Sequence, residues 1–146
     1  MKKEIMTKVK KLREDAILPA YAGSGDSGAD LFTPEEVTVK AGERILIKTG
    51  IAIALPDGYE AQVRSKSGLA LKKGLMVLNS PGTVDNLYRG DVGVIMYNSS
   101  NEDHTFAAGD KIAQLVIAPV EQSNFEIVDE LDETDRGEGG FGSTGR

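Results

Sequence analysis

From Arg44 to Leu55 the chain reads RILIKTGIAIAL, with Ile45, Ile47, Ile51, Ile53 and Leu55 all at odd positions. A repeat of two puts these side chains on one face of an extended backbone, so the stretch predicts strand with one apolar side. Pro56-Asp57-Gly58 then predicts a turn, because proline presets its backbone angle and glycine accepts positive φ. With YEAQV (59–63) beyond it, a hairpin is expected. Further β-rich runs are VTVK (37–40), VGVIMYN (92–98), KIAQLVIAPV (111–120) and FEIV (125–128), separated by turn-forming KAGE, YRGD, SSNED and AAGD. Many short strands between turns predict an all-β sandwich or barrel. Only SGLALKKG (67–74) reads as helix, with Ser67 as the expected cap and Gly74 as its left-handed exit. Hydrophobic residues become sparse after Asp129. A folded body over 1–128 and a flexible C-terminal arm over 129–146 are therefore expected.

A length of 146 residues suits one domain with a real core. Cysteine is absent and His104 is the single histidine, which argues against thiolate or imidazole metal sites. The N-terminus MKKEIMTKVKKLRED has lysines but no apolar stretch after them, and no run approaches transmembrane length. The expectation is a cytoplasmic protein with no membrane partner. A net charge of −6 argues against general nucleic-acid binding, which needs broad cationic surface. The charge is uneven, however: residues 121–135 carry seven acidic side chains and no basic one, whereas Arg64, Lys66, Arg89 and Arg136 sit among glycines and serines. Local anion sites are compatible with the acidic whole.

Three internal segments and the ending carry candidate chemistry. RSKSGLA (64–70) combines two cations, two hydroxyls and a helix start, all able to donate to a phosphate, although a solvated strand edge has the same composition. GLMVLNSPGTVDNLYRGDVGVIMYN (74–98) sets two hydrophobic strands about a Pro81-Gly82 turn, with Asp85 and Tyr88 just past it. A hairpin with Asn79 and Tyr88 can hold a flat polar ring, and it can also be an ordinary hairpin with Asp85 in a turn role. In GDKIAQLVIAP (109–119), Gln114 interrupts an apolar run and needs a partner from backbone or ligand. The ending RGEGGFGSTGR has five glycines in eleven positions, so it should stay disordered unless something binds it, yet it contains Phe141, Ser143 and Thr144.

In order and spacing, SGDSGADLFTP (24–34), RSKSGLA, LNSPGTVDNLYRGD, GDKIAQLVIAP and RGEGGFGSTG resemble the five motifs of the trimeric deoxyuridine triphosphatase (dUTPase) family. The similarity spans residues 24–145. It implies a distorted jelly-roll-like (β-clip) subunit with one short helix, assembled as a homotrimer. It also implies Mg2+-dependent hydrolysis of dUTP to dUMP and pyrophosphate, which limits uracil in DNA and supplies dUMP for dTMP synthesis. On that resemblance Asp85 orients and deprotonates the water that attacks the α-phosphorus. Asn79, Gly82, Thr83 and Val84 belong to the uracil-reading hairpin, and Tyr88 packs on the deoxyribose. Arg64, Ser65, Lys66, Ser67, Gly68 and Gln114 lie at the phosphates. Arg136, Phe141, Gly142, Ser143 and Thr144 form a lid in which Phe141 stacks on uracil over a neighbouring subunit's site. The metal has no ligand cluster of its own and is held mainly through the triphosphate and waters.

Two positions depart from the family pattern. Lys66 stands where arginine is usual, replacing a two-pronged guanidinium by a point charge, so either a weaker phosphate grip or compensation by Arg64 is expected. Leu87 stands where an acidic residue is common. The related dCTP deaminases share the fold but lack the GGFGSTG ending, which favours hydrolysis here. A nucleotide-sensing trimer that docks a protein partner on the closed arm is a further reading, with binding accompanying catalysis.

Overall fold

The structure is a computed structural model that describes residues 2–145. Among these, eleven short strands and one helix form an all-β, jelly-roll-like fold in which every strand pair is antiparallel. The strands are β1 (Lys8–Lys11), β2 (Ala29–Phe32), β3 (Val37–Val39), β4 (Arg44–Lys48), β5 (Ile51–Ala54) and β6 (Tyr59–Arg64). After helix α1 (Ser67–Lys73) come β7 (Leu75–Val77), β8 (Gly82–Val84), β9 (Gly93–Asn98), β10 (His104–Phe106) and β11 (Lys111–Pro119). One sheet runs β2-β11-β6-β8 and a second β4-β9-β7, with β1-β5 and β3-β10 as two-stranded ribbons.

The core follows the predicted alternation. Along β9, Val94, Met96 and Asn98 are buried while Gly93, Ile95 and Tyr97 are half-buried. Leu31, Val63 and Leu115 from the first sheet join Ile47, Val77 and Met96 from the second in a single cluster. Burial of such a side chain contributes about 1.5–3 kcal/mol. The amide of Asn98 is one of the polar groups of this interior, beside Thr33 and Thr49. Its Nδ2 donates to Val39 O at 2.9 Å and Glu102 O at 2.7 Å, and its Oδ1 accepts from Ser100 N at 3.0 Å and Ser100 Oγ at 2.7 Å. Next to it, Ser99 N donates to Gly74 O at 2.8 Å.

The expected hairpin over Pro56-Asp57-Gly58 does not form. β5 pairs with β1, while β6 pairs with β11 and β8, so the chain uses the turn to change sheets. The isoleucine-rich tract is likewise two strands, broken at Thr49-Gly50. Thr49 is buried with Oγ1 on Val92 O at 2.6 Å, and Gly50 has φ +79°, with Arg13 packed where a side chain would go. Period two survives the break, and Ile47, Ile51 and Ile53 are all buried.

Residues 125–128 form no strand. Phe125 and Ile127 are 91% and 98% exposed, because within one chain no edge lies against them. Helix α1 starts as predicted, but Lys66 rather than Ser67 is its N-cap, without a side-chain cap bond, and Gly74 exits at φ +68° as expected. β1, β2, β8 and β10 were not expected as strands. Each has three or four residues, and β1 reads KVKK, too charged and short to show a pattern.

Candidate functional site

β6 lies between β11 and β8, so the place where it ends is fixed from both sides. It delivers Arg64, Ser65 and Lys66 to the start of α1, with Ser67 and Gly68 exposed in the first turn. Gln62 Oε1 accepts from Arg64 Nε at 3.0 Å and Nη2 at 2.6 Å, steadying the guanidinium. Ser65 Oγ accepts from Val77 N at 2.9 Å, and Ser65 O accepts from Gln114 Nε2 at 3.0 Å. The partner that Gln114 needed is thus this loop's backbone. Gly28 makes room for it, since a Cβ there would lie 2.2 Å from Gln114 Oε1.

Lys66 bonds to Asp30, a carboxylate only 5% exposed, whose other oxygen meets Lys111 Nζ at 3.1 Å. Burial pushes the Asp30 carboxyl up, but the hydrogen bonds and charges of Lys66 and Lys111 outweigh it and hold the group below its ordinary value. The amine that replaces the usual arginine is therefore already engaged. Two ammonium groups against one carboxylate leave the cluster with net positive charge. Asp30 was not among the predicted site residues, although its signal was present: one acid inside the apolar strand ADLF.

β8 pairs with β6 through Ala61↔Val84, Gln62↔Thr83 and Val63↔Gly82. β7 and β9 do pair as expected, but the Pro81-Gly82 segment is not the tip of their hairpin. It crosses to the neighbouring sheet as β8, and a Cβ at Gly82 would lie 3.3 Å from both Val63 and Asn79. One face of segment 79–84 walls a cleft of about 400 Å³ with Asn79, Thr83, Val84 and Tyr88, closed by Leu46 and Ile95. Its Ser80 and Pro81 wall another of about 460 Å³ with Gln62, Arg64 and Ser65. The predicted base-reading and phosphate residues thus meet around one short strand.

Asp85 is exposed at the end of β8, and its carbonyl accepts from Tyr88 N at 3.1 Å. Tyr88 Oη donates to Asp91 O at 2.9 Å. Gly90 permits this, because a Cβ there would lie 2.3 Å from Tyr88 Oη. Leu87, at the second departure, is exposed.

The arm residues are not brought to either cleft. Arg136 Nε donates to Gly139 O at 2.9 Å, Phe141 is fully exposed at φ +52°, and Gly142, Ser143 and Thr144 lie in local turns.

A β-framework with two clefts walled by one short segment that leads into an exposed aspartate is the class of molecule these features define. The sequence profile of the dUTPase family matches residues 14–145. The deoxyuridine 5'-triphosphate nucleotidohydrolase of Syntrophotalea carbinolica is 54% identical over 98% of this chain and 99% of its own. That of a Hydrogenobaculum species is 57% identical over 94% and 96%. Among solved structures, a variant of the Staphylococcus bacteriophage 80alpha dUTPase with dUpNHpp superposes with a TM-score of 0.88 at 28% identity, over 95% of this chain and 98% of its own. A variant of the dUTPase of phage phi11 of S. aureus, described with a structural Mg(II) ion, reaches a TM-score of 0.79 at 28% identity, covering 86% and 97%. The chain belongs to the dUTPase family.

Proposed function

We propose that this protein hydrolyses dUTP to dUMP and pyrophosphate. The observation that carries the reading is the position of Asp85, exposed directly after segment 79–84, whose residues wall both a base-sized and a phosphate-side cleft. Uracil enters the cleft at Asn79, Thr83 and Tyr88, where backbone groups of 79–84 pair with its edge. Cytosine would leave buried donors and acceptors mismatched, which discriminates strongly. Tyr88, held down over Gly90, packs on the deoxyribose where a 2′-hydroxyl would clash.

The triphosphate lies along Arg64, Ser65, Lys66 and the open first turn of α1, whose unpaired amides suit an anion. Asp85 holds a water in line with the α-phosphorus and takes its proton as the new P–O bond forms and the bond to the β-phosphate oxygen breaks. On this reading the ion would be held mainly through triphosphate oxygens and water, a ligation that suits Mg2+. When bound, Mg2+ supplies neutralisation of the charge on the departing pyrophosphate.

Assembly as a homotrimer, with the arm reaching a neighbour's site, is part of the same proposal. Its support is the surface that one chain leaves uncovered. Phe125, Ile127 and the seven acids of 121–135 stand exposed, and the N-terminal edge carries the opposite charge in Lys2, Lys3, Lys8, Lys10 and Lys11. Beside that edge lies an apolar groove of about 490 Å³ that includes Ile5, Val9 and Ile117. A second copy offers each of these surfaces its complement.

The test is pyrophosphate release from dUTP, dCTP, dTTP and UTP, with and without Mg2+. Release from dUTP with Mg2+ and little from the others is expected. Ammonia from dCTP would overturn the reading in favour of a deaminase.

A further inference from the structure

The turn that carries Asp85 and Tyr88 is exposed, and residues 85–92 contribute no strand. Something must hold it if it is to aim a reacting group. At its far end, Val92 N donates to Ile51 O at 2.8 Å and Gly50 N donates to Asp91 Oδ1 at 3.2 Å. At the near end the turn follows Val84, paired with Ala61, and past that residue its link to another strand comes from the Arg89 side chain. Arg89 Nη1 donates to Asn86 O at 2.6 Å, approaches Tyr88 O at 3.2 Å and reaches Ile53 O, on β5, at 3.5 Å. Two of these oxygens belong to the turn. The third belongs to a strand anchored by a fully formed pairing with β1 and by the buried Ile53 side chain.

The charge of Arg89 has no other evident employment. Among the described residues no carboxylate lies within ion-pair distance of it. The groove it borders is lined by Lys8 and Lys10, which repel it. A guanidinium kept among like charges and turned onto carbonyl oxygens acts as a donor, and its planar fork can serve several acceptors at once where an ammonium offers only a point charge.

We propose that Arg89 is a positioning residue of the hydrolase: it clamps the Asp85–Tyr88 turn to β5, and so sets both the aim of the attacking water and the wall that Tyr88 presents to the sugar. The proposal rests on the functional reading above. Loosening the clamp leaves Asp85 and Tyr88 chemically intact but free to drift, and a displacement of about an ångström costs on the order of a hundredfold in rate.

The experiment uses the full-length chain with Arg89→Ala and Arg89→Lys, each shown to be folded by circular dichroism and melting. Arg89→Ala is expected to lower kcat on dUTP by roughly ten- to a hundredfold and to narrow the dUTP-over-UTP ratio of kcat/KM by about tenfold. Millimolar guanidinium should restore part of both, and Arg89→Lys should fall between. Amide exchange in 86–88 of the nucleotide-free Arg89→Ala protein should be faster than in the parent. A folded Arg89→Ala variant with an unchanged selectivity ratio, or with unchanged exchange at 86–88, overturns the proposal. A parent protein that does not hydrolyse dUTP would sink the functional reading, and exchange at 86–88 would still decide whether the clamp exists.

Discussion

Two glycine-containing segments each present a candidate nucleotide-contacting aromatic, and they are built in opposite ways. Tyr88 is half-exposed but tied down: its hydroxyl is on Asp91 O, its amide on Asp85 O, and its ring lies across Gly90. The loop around it is hydrogen-bonded to residues about forty positions away in sequence, Gly50 and Ile51. Phe141 is fully exposed, and the bonds around it, Arg136 to Gly139, Ser143 to Gly140 and Gly145 to Gly142, span three residues each. Long-range bonds are lost only when the sheet opens, whereas isolated turns open at almost no cost. One half of the site is therefore set by folding. The other has no such bonds, and the function proposed above gives it the part of a lid that admits substrate and then excludes water.

The largest expected effect isolates chemistry from both halves. Asp85→Asn should keep nucleotide affinity and lose turnover by about a thousandfold, the scale of a lost general base; single-turnover kinetics beside a binding titration check this, and retained turnover would remove Asp85 from its role. Next, ending the chain after Asp135 tests the unbuilt half alone. Because the arm makes only local bonds, the melting temperature should not move, while kcat/KM on dUTP falls by roughly a hundredfold. Unchanged kinetics would make the arm a passive tail.

The smallest effect sharpens the built half. Asp30 is held below its ordinary value in the folded chain, so the unfolded chain binds that proton more readily. Its contribution to stability is full above the ordinary carboxylate value of about 3.9 and is lost as pH falls through the lower folded value. Melting curves should decline in that acid window. Asp30→Asn should flatten the decline, and an equal slope in both proteins would mean that the lysines do not hold this group.

The residues of the built half were mostly legible because each carried a local signature. Period two across Arg44–Leu55 marked the buried face, Gly74 marked the helix exit, and Gln114 announced that it needed a partner. What escaped depended on distant chain. The break at Gly50 is set by Arg13 packing against it, and the pairing of Gly82 with Val63 by β6, a strand outside the β7-β9 hairpin. Asp30 stood out as an acid within ADLF, but nothing local named its partners, two lysines 36 and 81 positions on. FEIV has the composition of a strand, but composition supplies no partner edge.

The bonding around Asn98 bears on how the protein ages. An asparagine followed by serine is a common point of spontaneous deamidation, which begins when the next backbone nitrogen attacks the side-chain carbonyl. Here that nitrogen is committed to Gly74 O and the buried amide is held by four hydrogen bonds to Val39, Ser100 and Glu102, so chemical wear at this step requires those bonds to open first.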